Sequence, residues 1–173
     1  MTADNWAIYE AFIRLAAEKQ WKPTRSGKKR LLFQSTLELE YRGQIVRRLV
    51  SLPITPKRPV PVNLSFMHAG KRWRQGIHVE TDDMIEVLGA RSPKIILWQD
   101  TAPETLTLTC SSKSGVLRVW NIWDTGNGSV ESLFNCCGIV LKSLSPRKWE
   151  LRCNDGYPDD DFADLIVQIE MPP

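Results

Sequence analysis

Short apolar runs with a two-residue period constrain the fold of this chain more than any other feature. They recur between residues 31 and 171, where apolar and polar side chains alternate, as in residues 37–41 and 104–110. Glycine, proline, serine and asparagine interrupt them every eight to twelve residues or so, which is about the spacing of turns in sandwiches and barrels. A parallel sheet would need intervening helices. The pattern therefore predicts about nine or ten strands in an antiparallel β-sandwich or jelly roll.

Two pairs of neighbouring runs are predicted to form hairpins. Residues 31–41 and 44–52 flank the turn Arg42-Gly43. Residues 104–123 contain a second pair, interrupted by a loop rich in serine and glycine. Between residues 53 and 61 four prolines predict a crossover between sheets, because proline has no N–H to donate to a ladder.

The N-terminal region has a helical period instead of an alternating one. Its apolar residues recur at three- and four-residue spacing, which predicts an amphipathic helix over residues 4–19. These residues are Trp6, Tyr9, Phe12, Ile13 and Ala16. We expect a single domain, in which the helix of residues 1–22 packs on a β-sandwich formed by residues 31–171.

The composition favours a protein of the cytoplasm without membrane attachment. No run approaches the roughly 20 apolar residues of a membrane span, and an early acidic residue, Asp4, replaces the basic start of a signal peptide. The four cysteines have no C-x-x-C spacing, so we expect buried free thiols rather than a metal site. They are Cys110, Cys136, Cys137 and Cys153.

Charge is divided unevenly along the chain. Residues 1–74 hold 15 Lys or Arg against 5 Asp or Glu, whereas residues 75–173 hold 8 against 15. A basic half can bind phosphate, so one alternative function is association with nucleic acid, and the two halves can equally neutralise each other. The candidate phosphate contacts are Arg25, Lys28, Lys29 and Arg30, joined on one surface by Arg47, Arg48, Arg72 and Arg74.

The strongest local signal is an acidic loop, residues 154–164, that precedes the last strand. It holds five Asp and one Asn in eleven positions. Carboxylates at this density repel each other unless water, a cation or a basic partner neutralises them, and calcium prefers six to eight oxygen ligands. The candidate metal ligands are Asn154, Asp155, Asp159, Asp161 and Asp164.

Part of this loop resembles a known signature. Residues 159–167 resemble the D-x-D-[FY]-N-D-[LV]-V pattern of a family of mostly secreted bacterial β-sandwich domains associated with calcium binding. Asp159, Asp161, Phe162 and Asp164 match the pattern, while Ala163 stands where the family has Asn. The resemblance implies a β-sandwich fold and a calcium ion held by the matching aspartates.

Tryptophans beside the polar loops suggest a second kind of contact. A Trp ring next to Asp and Asn can stack on a sugar ring whose hydroxyls bond the polar groups, and it also suits a flat protein interface. The candidate ligand-binding residues, at or near the loops of residues 124–129 and 154–164, are Trp120, Trp123, Asp124, Asn127 and Trp149.

These observations favour a non-catalytic binding module for a cation, a glycan or a protein partner. No nucleophile motif or phosphate loop is present, and hydrolysis by loop carboxylates is the second alternative, since glycoside cleavage needs two carboxyl groups. We expect a monomer or a weak homodimer, because contacts between the basic segment 22–30 and the acidic loop would be screened by salt.

Overall fold

The computed structural model describes residues 7–18 and 38–173. In these ranges the chain is mainly β, and none of the helical segments has the length and apolar character needed to cross a bilayer. The elements are α1 (Ala7–Glu18), β1 (Glu38–Tyr41), β2 (Gln44–Arg47), β3 (Val50–Pro53), β4 (Val60–Ala69), β5 (Arg74–Val87), β6 (Ala90–Trp98), β7 (Thr105–Ser111), β8 (Val116–Asp124), β9 (Gly138–Ser145), β10 (Lys148–Asn154) and β11 (Leu165–Glu170).

The strands form one curled antiparallel sheet. Their order is β1-β2-β9-β10-β11-β4-β7-β5-β8-β3, and β6 pairs with β5 outside this path. Strands β3 to β11 all contribute buried side chains to one shared apolar core, mostly from alternating positions. The predicted mainly β, antiparallel fold with an N-terminal helix is confirmed in the described ranges.

Strand β5 joins the two parts of the sheet. Its residues 76–80 lie between β6 and β8, and its residues 85–86 lie between β6 and β7, with a register shift between the two parts. β7 and β8 therefore follow each other along the same edge of β5. The predicted hairpin over residues 104–123 is wrong, because β7 and β8 do not pair with each other and instead pair with different parts of β5.

A carboxylate fixes the connection between β7 and β8. Asp82 accepts hydrogen bonds from the Ser112 hydroxyl at 2.7 Å and from the backbone N–H groups of Lys113 and Ser114 at 2.8 and 2.9 Å. These hydrogen bonds lower the pKa of Asp82. The loop after β7 is thus held against β5 instead of closing a two-residue hairpin.

The first predicted hairpin is confirmed for the part that the structure describes. β1 and β2 pair through Tyr41 and Gln44, and both turn residues between them, Arg42 and Gly43, have positive φ angles, as hairpin turns of this length require. The strand predicted over residues 44–52 divides, however. β2 continues the sheet beside β9, whereas β3 pairs with β8 at the opposite end.

Arg48 lies at this division and is turned inward. Its side chain is 1% exposed, and its guanidinium donates to the carbonyl oxygens of Leu133 at 3.0 Å and Asn135 at 2.7 Å. It also lies 4.6 Å from the centre of the Phe12 ring. The prediction that Arg48 belongs to a basic surface is therefore wrong.

A smaller apolar cluster lies beneath the helix. Ile8 and Phe12 of α1 are fully buried there, with Ala11 and Leu15 packed against them. Of the predicted apolar face, Phe12 is therefore buried, whereas Tyr9 is exposed. The remaining members come from the sheet and from the acidic loop: Leu39, Val46, Val140 and Phe162. Trp6 lies outside the described residues.

The cysteines are buried free thiols, as predicted. Burial raises the pKa of Cys153 well above its usual value and that of Cys137 to about 11. A thiol of this kind is neutral at physiological pH and a poor nucleophile.

Candidate functional site

Three carboxylates of the acidic loop converge at one point. Asp159, Asp161 and Asp164 each contribute an oxygen, and these oxygens lie within 4.8 Å of one another. Asp159 and Asp161 are exposed, whereas Asp164 is 7% exposed. We call this group the Asp cluster. Two oxygens bound to one calcium ion at about 2.4 Å can be no more than about 4.8 Å apart, so the spacing suits such an ion.

The backbone of the loop accounts for this convergence. Asp160 and Phe162 adopt positive φ angles of 54° and 51°, a strained conformation for residues with a Cβ. Phe162 compensates by burying its ring, 7% exposed, in the apolar cluster beneath the helix. The Asp161 carboxylate then accepts a hydrogen bond from the backbone N–H of Ala163 at 2.7 Å. Burial of one aromatic ring thus holds the neighbouring carboxylates in place.

The Asp cluster is electrostatically unfavourable when fully ionised. Burial, together with the charges of Asp155, Asp159 and Asp161, raises the pKa of Asp164 to about 7. Burial and the Asp161 charge also raise the pKa of Asp159. A proton or a metal cation would relieve this repulsion.

The other two predicted metal ligands are used differently. Asp155 is fully buried, and its carboxylate accepts hydrogen bonds from the Tyr157 backbone N–H at 2.7 Å and from the Gln75 side chain at 2.8 Å. Asn154 is also fully buried and donates to the carbonyl oxygens of Cys136 and Tyr157, both at 3.1 Å. Both side chains therefore brace the base of the loop, while the other three predicted ligands form the Asp cluster.

Asp160 points to a different part of the molecule. Its carboxylate accepts a hydrogen bond from the Tyr41 hydroxyl at 2.6 Å. Burial of Tyr41 and this hydrogen bond raise the pKa of the Tyr41 hydroxyl to about 12. Asp160 thus links the loop to β1 and is not a member of the Asp cluster.

The predicted tryptophan contacts lie mostly in the interior. Trp123 is fully buried and its indole N–H donates to Glu131, while Trp120 is 8% exposed and stacks on His78 at 3.9 Å. Neither ring is an exposed contact, because both faces of β8 are covered. Trp149 is half-buried against the main core and lines a separate cleft of about 350 Å³.

The polar loop of residues 124–129 is fixed by its own side chains. One oxygen of Asp124 accepts hydrogen bonds from the backbone N–H groups of Gly126, Asn127 and Gly128 at 2.8 to 3.1 Å. The Asn127 side chain accepts one from Ser129 at 2.8 Å. Both predicted ligand-binding residues of this loop therefore have a local structural role.

A polar cleft of about 420 Å³ is lined by this loop, by residues 69–75 at the connection of β4 to β5 and by residues 99–100 after β6. We call it the Gln75 cleft. It adjoins the Asp cluster, because the Gly70 N–H in its wall donates to the backbone carbonyl of Asp164. The sequence indicated Trp73 only as an aromatic residue between two arginines, and no local pattern indicated Gln75. The lining of the cleft includes Lys71, Arg72, Trp73, Arg74, Gln75 and Asp100.

The basic residues of the nucleic-acid alternative do not form one uniform surface where the structure describes them. Arg47 pairs with Glu38 at 2.7 Å, and Arg74 pairs with Asp100 at 2.9 Å. Arg72 lies over the Tyr157 ring, and its charge offsets part of the rise in the pKa of Asp159 that burial and Asp161 cause. The basic and acidic halves of the chain are therefore in contact at Arg72 and Arg74, whereas Arg47 is neutralised within the basic half. The remaining candidates, Arg25, Lys28, Lys29 and Arg30, lie outside the described residues.

Comparison with known proteins shows a similarity of structure but not of sequence family. No protein-family model matches the chain, and no curated protein matches it. Among solved structures, the chain is similar to the Chromobacterium violaceum lectin CV2L, determined in complex with alpha-methyl-fucoside. The TM-score is 0.41 and the sequence identity 15%, covering 71% of this chain and 96% of that chain.

Proposed function

We propose that this chain is a non-catalytic binding module on a β-sandwich and that its Asp cluster binds a divalent cation, with calcium favoured by the donors. The observation that carries the proposal is the convergence of three carboxylate oxygens within 4.8 Å. Calcium prefers carboxylate oxygens in flexible geometry and completes its shell with backbone carbonyls and water. The raised pKa values of Asp159 and Asp164 support the proposal, because a cation would offset the repulsion that causes them.

The acidic loop is better suited to binding a ligand than to catalysing hydrolysis with its carboxylates. The most buried carboxylate of the loop, Asp155, already accepts two hydrogen bonds that hold the loop. His78 is stacked on Trp120, and burial lowers its pKa to about 4, so it is neutral near pH 7. Neither residue has the arrangement that a general acid or base requires.

Calorimetric titration with calcium and thermal melting with and without calcium test the cation proposal. A ligand at 100 times its dissociation constant stabilises the fold by about 2.7 kcal/mol. For a chain of this length that corresponds to a rise of about 5–10 °C in the melting temperature. We expect this rise in the wild-type protein and its loss in the double variant Asp159→Asn/Asp161→Asn.

Asp160→Asn is the matched control for this experiment. It is the same substitution in the same loop, but the Asp160 carboxylate faces Tyr41 rather than the Asp cluster. We expect this variant to retain the calcium response. The absence of heat and of any melting shift at millimolar calcium, or an equal response in all three proteins, would remove the cation from the proposed function.

A further inference from the structure

The side chain of Gln75 connects the base of the acidic loop to the Gln75 cleft. It is 3% exposed, and its amide nitrogen donates to the Asp155 carboxylate at 2.8 Å. Asp155 in turn accepts from the Tyr157 N–H, so the amide is held in one orientation. Among the residues that the structure describes, the amide oxygen of Gln75 has no hydrogen-bond partner. A buried acceptor without a donor is unfavourable, and this one belongs to a residue that lines the cleft.

The other walls of the cleft are aromatic and polar. The Trp73 ring meets the Tyr157 ring edge to face at 5.9 Å, and the Arg72 guanidinium lies 3.7 Å from the centre of the Tyr157 ring. The cleft also contains an ion pair, in which Arg74 donates to both carboxylate oxygens of Asp100 at 2.9 and 3.0 Å. These contacts orient the side chains before a ligand arrives, which reduces the entropic cost of binding.

The chemistry of this wall narrows the class of ligand. Lys71, Arg72 and Arg74 face Asp100 and Asp124 in the same cleft, so the charges largely cancel and a strongly anionic ligand would meet two carboxylates. A cleft of about 420 Å³ falls within the roughly 300–1,000 Å³ of small-molecule sites. A ligand that fits must donate to a fixed amide oxygen, accept from ammonium or guanidinium groups and offer an apolar face to an indole.

We propose that the Gln75 cleft binds a neutral sugar residue of a glycan. One hydroxyl donates to the Gln75 amide oxygen, a second bonds Asp100 or Lys71, and the apolar face of the ring packs on Trp73. This proposal deepens the proposed function, on which it rests, by naming the ligand of the binding module. It places the sugar on the Trp73 ring in the cleft wall, instead of on Trp120 and Trp123, which are buried.

Saturation-transfer difference NMR with methyl glycosides tests the proposal. The probes are methyl glycosides of glucose, galactose, mannose, fucose and N-acetylglucosamine, each at about 10 mM, since a ligand of this size in an open cleft binds with a dissociation constant of about 1 mM. We expect transfer to at least one glycoside in the wild-type protein. Trp73→Ala and Gln75→Leu are expected to weaken that binding by about tenfold or more, which is the effect of losing one stacking or hydrogen-bonding contact.

Trp149→Ala is the matched control, because it removes another half-buried indole that lines a different cleft. Its binding is expected to stay within about twofold of the wild type. No transfer to any glycoside would overturn the proposal, and so would binding that survives Trp73→Ala but is lost in Trp149→Ala. Thermal melting identifies any variant that fails to fold, and Trp73→Phe, which keeps an aromatic ring, then replaces Trp73→Ala and is expected to bind with intermediate affinity.

Running the NMR series in calcium and in EDTA separates this proposal from the cation proposal. Glycoside binding in EDTA, with no calorimetric response to calcium, supports the sugar site and refutes the cation. A calcium response without transfer to any glycoside supports the cation and refutes the sugar site.

Discussion

Replacing Asp164 with asparagine should change how the stability of the fold depends on pH. The folded protein holds the pKa of Asp164 at about 7, against an ordinary value of 3.8. At a pH below that ordinary value, the Asp164 carboxyl is protonated in both the folded and the unfolded state, so it does not change the free energy of unfolding. As the pH rises from about 4 to 7, the unfolded chain releases its proton first and gains relative stability, so the metal-free fold becomes less stable until the loss levels off above pH 7.

The magnitude follows from the size of this shift. The pKa values of Asp164 in the folded and unfolded states differ by about 3. At about 1.4 kcal/mol for each pKa unit, the loss of unfolding free energy can be no more than about 4 kcal/mol. Water around the exposed Asp159 and Asp161 screens part of their charge, which reduces the expected effect to about 2 kcal/mol. Asparagine keeps an acceptor for the Asp155 N–H, which bonds Asp164 at 2.8 Å. Asp164→Asn should therefore be more stable than the wild type by about 2 kcal/mol above pH 7, or about 4–8 °C in melting temperature.

Thermal melting by circular dichroism between pH 4 and pH 8 in EDTA measures this effect. Titrating groups elsewhere are common to both proteins, so the difference between the two profiles isolates Asp164. At pH 8, calcium should raise the melting temperature of the wild type more than that of Asp164→Asn. Parallel pH profiles for the two proteins would refute the reasoning, because they would mean that Asp164 carries no unfavourable charge in the fold.

Three further predictions concern the supporting structure. Arg48→Met should lower the unfolding free energy by about 3 kcal/mol by removing donors from two partly buried carbonyls, whereas Arg47→Met at an exposed ion pair should cost less than about 1 kcal/mol in chemical denaturation. Gly156→Ala should cost about 2 kcal/mol in the same assay, because a Cβ would lie 2.8 Å from the Trp123 ring. The four buried cysteines should resist a thiol reagent in the native protein and react only after denaturant is added; rapid native reaction would contradict their burial.

Local patterns in the sequence were sufficient for the strands, the first hairpin turn and the acidic loop. Alternation of polarity marks a strand wherever that strand finally pairs, because the two-residue period belongs to the strand itself. The turn Arg42-Gly43 and the burial of the cysteines likewise depend on residue types that act locally. The sequence likewise predicts Asp159, Asp161 and Asp164 as ligands, because they are close enough in the chain for one loop to bring their carboxylates together.

Only the tertiary structure decided which strands pair and which polar groups meet. β7 and β8 both pair with β5 rather than with each other, although they are neighbours in the chain, and pairing partners at long range leave no local trace. Arg48 is drawn inward by carbonyls 85 and 87 residues away. Gln75 reaches Asp155 across 80 residues and also lines the cleft. The residue types of the acidic loop are thus a property of the sequence, whereas the surroundings that would give it a ligand are a property of the fold.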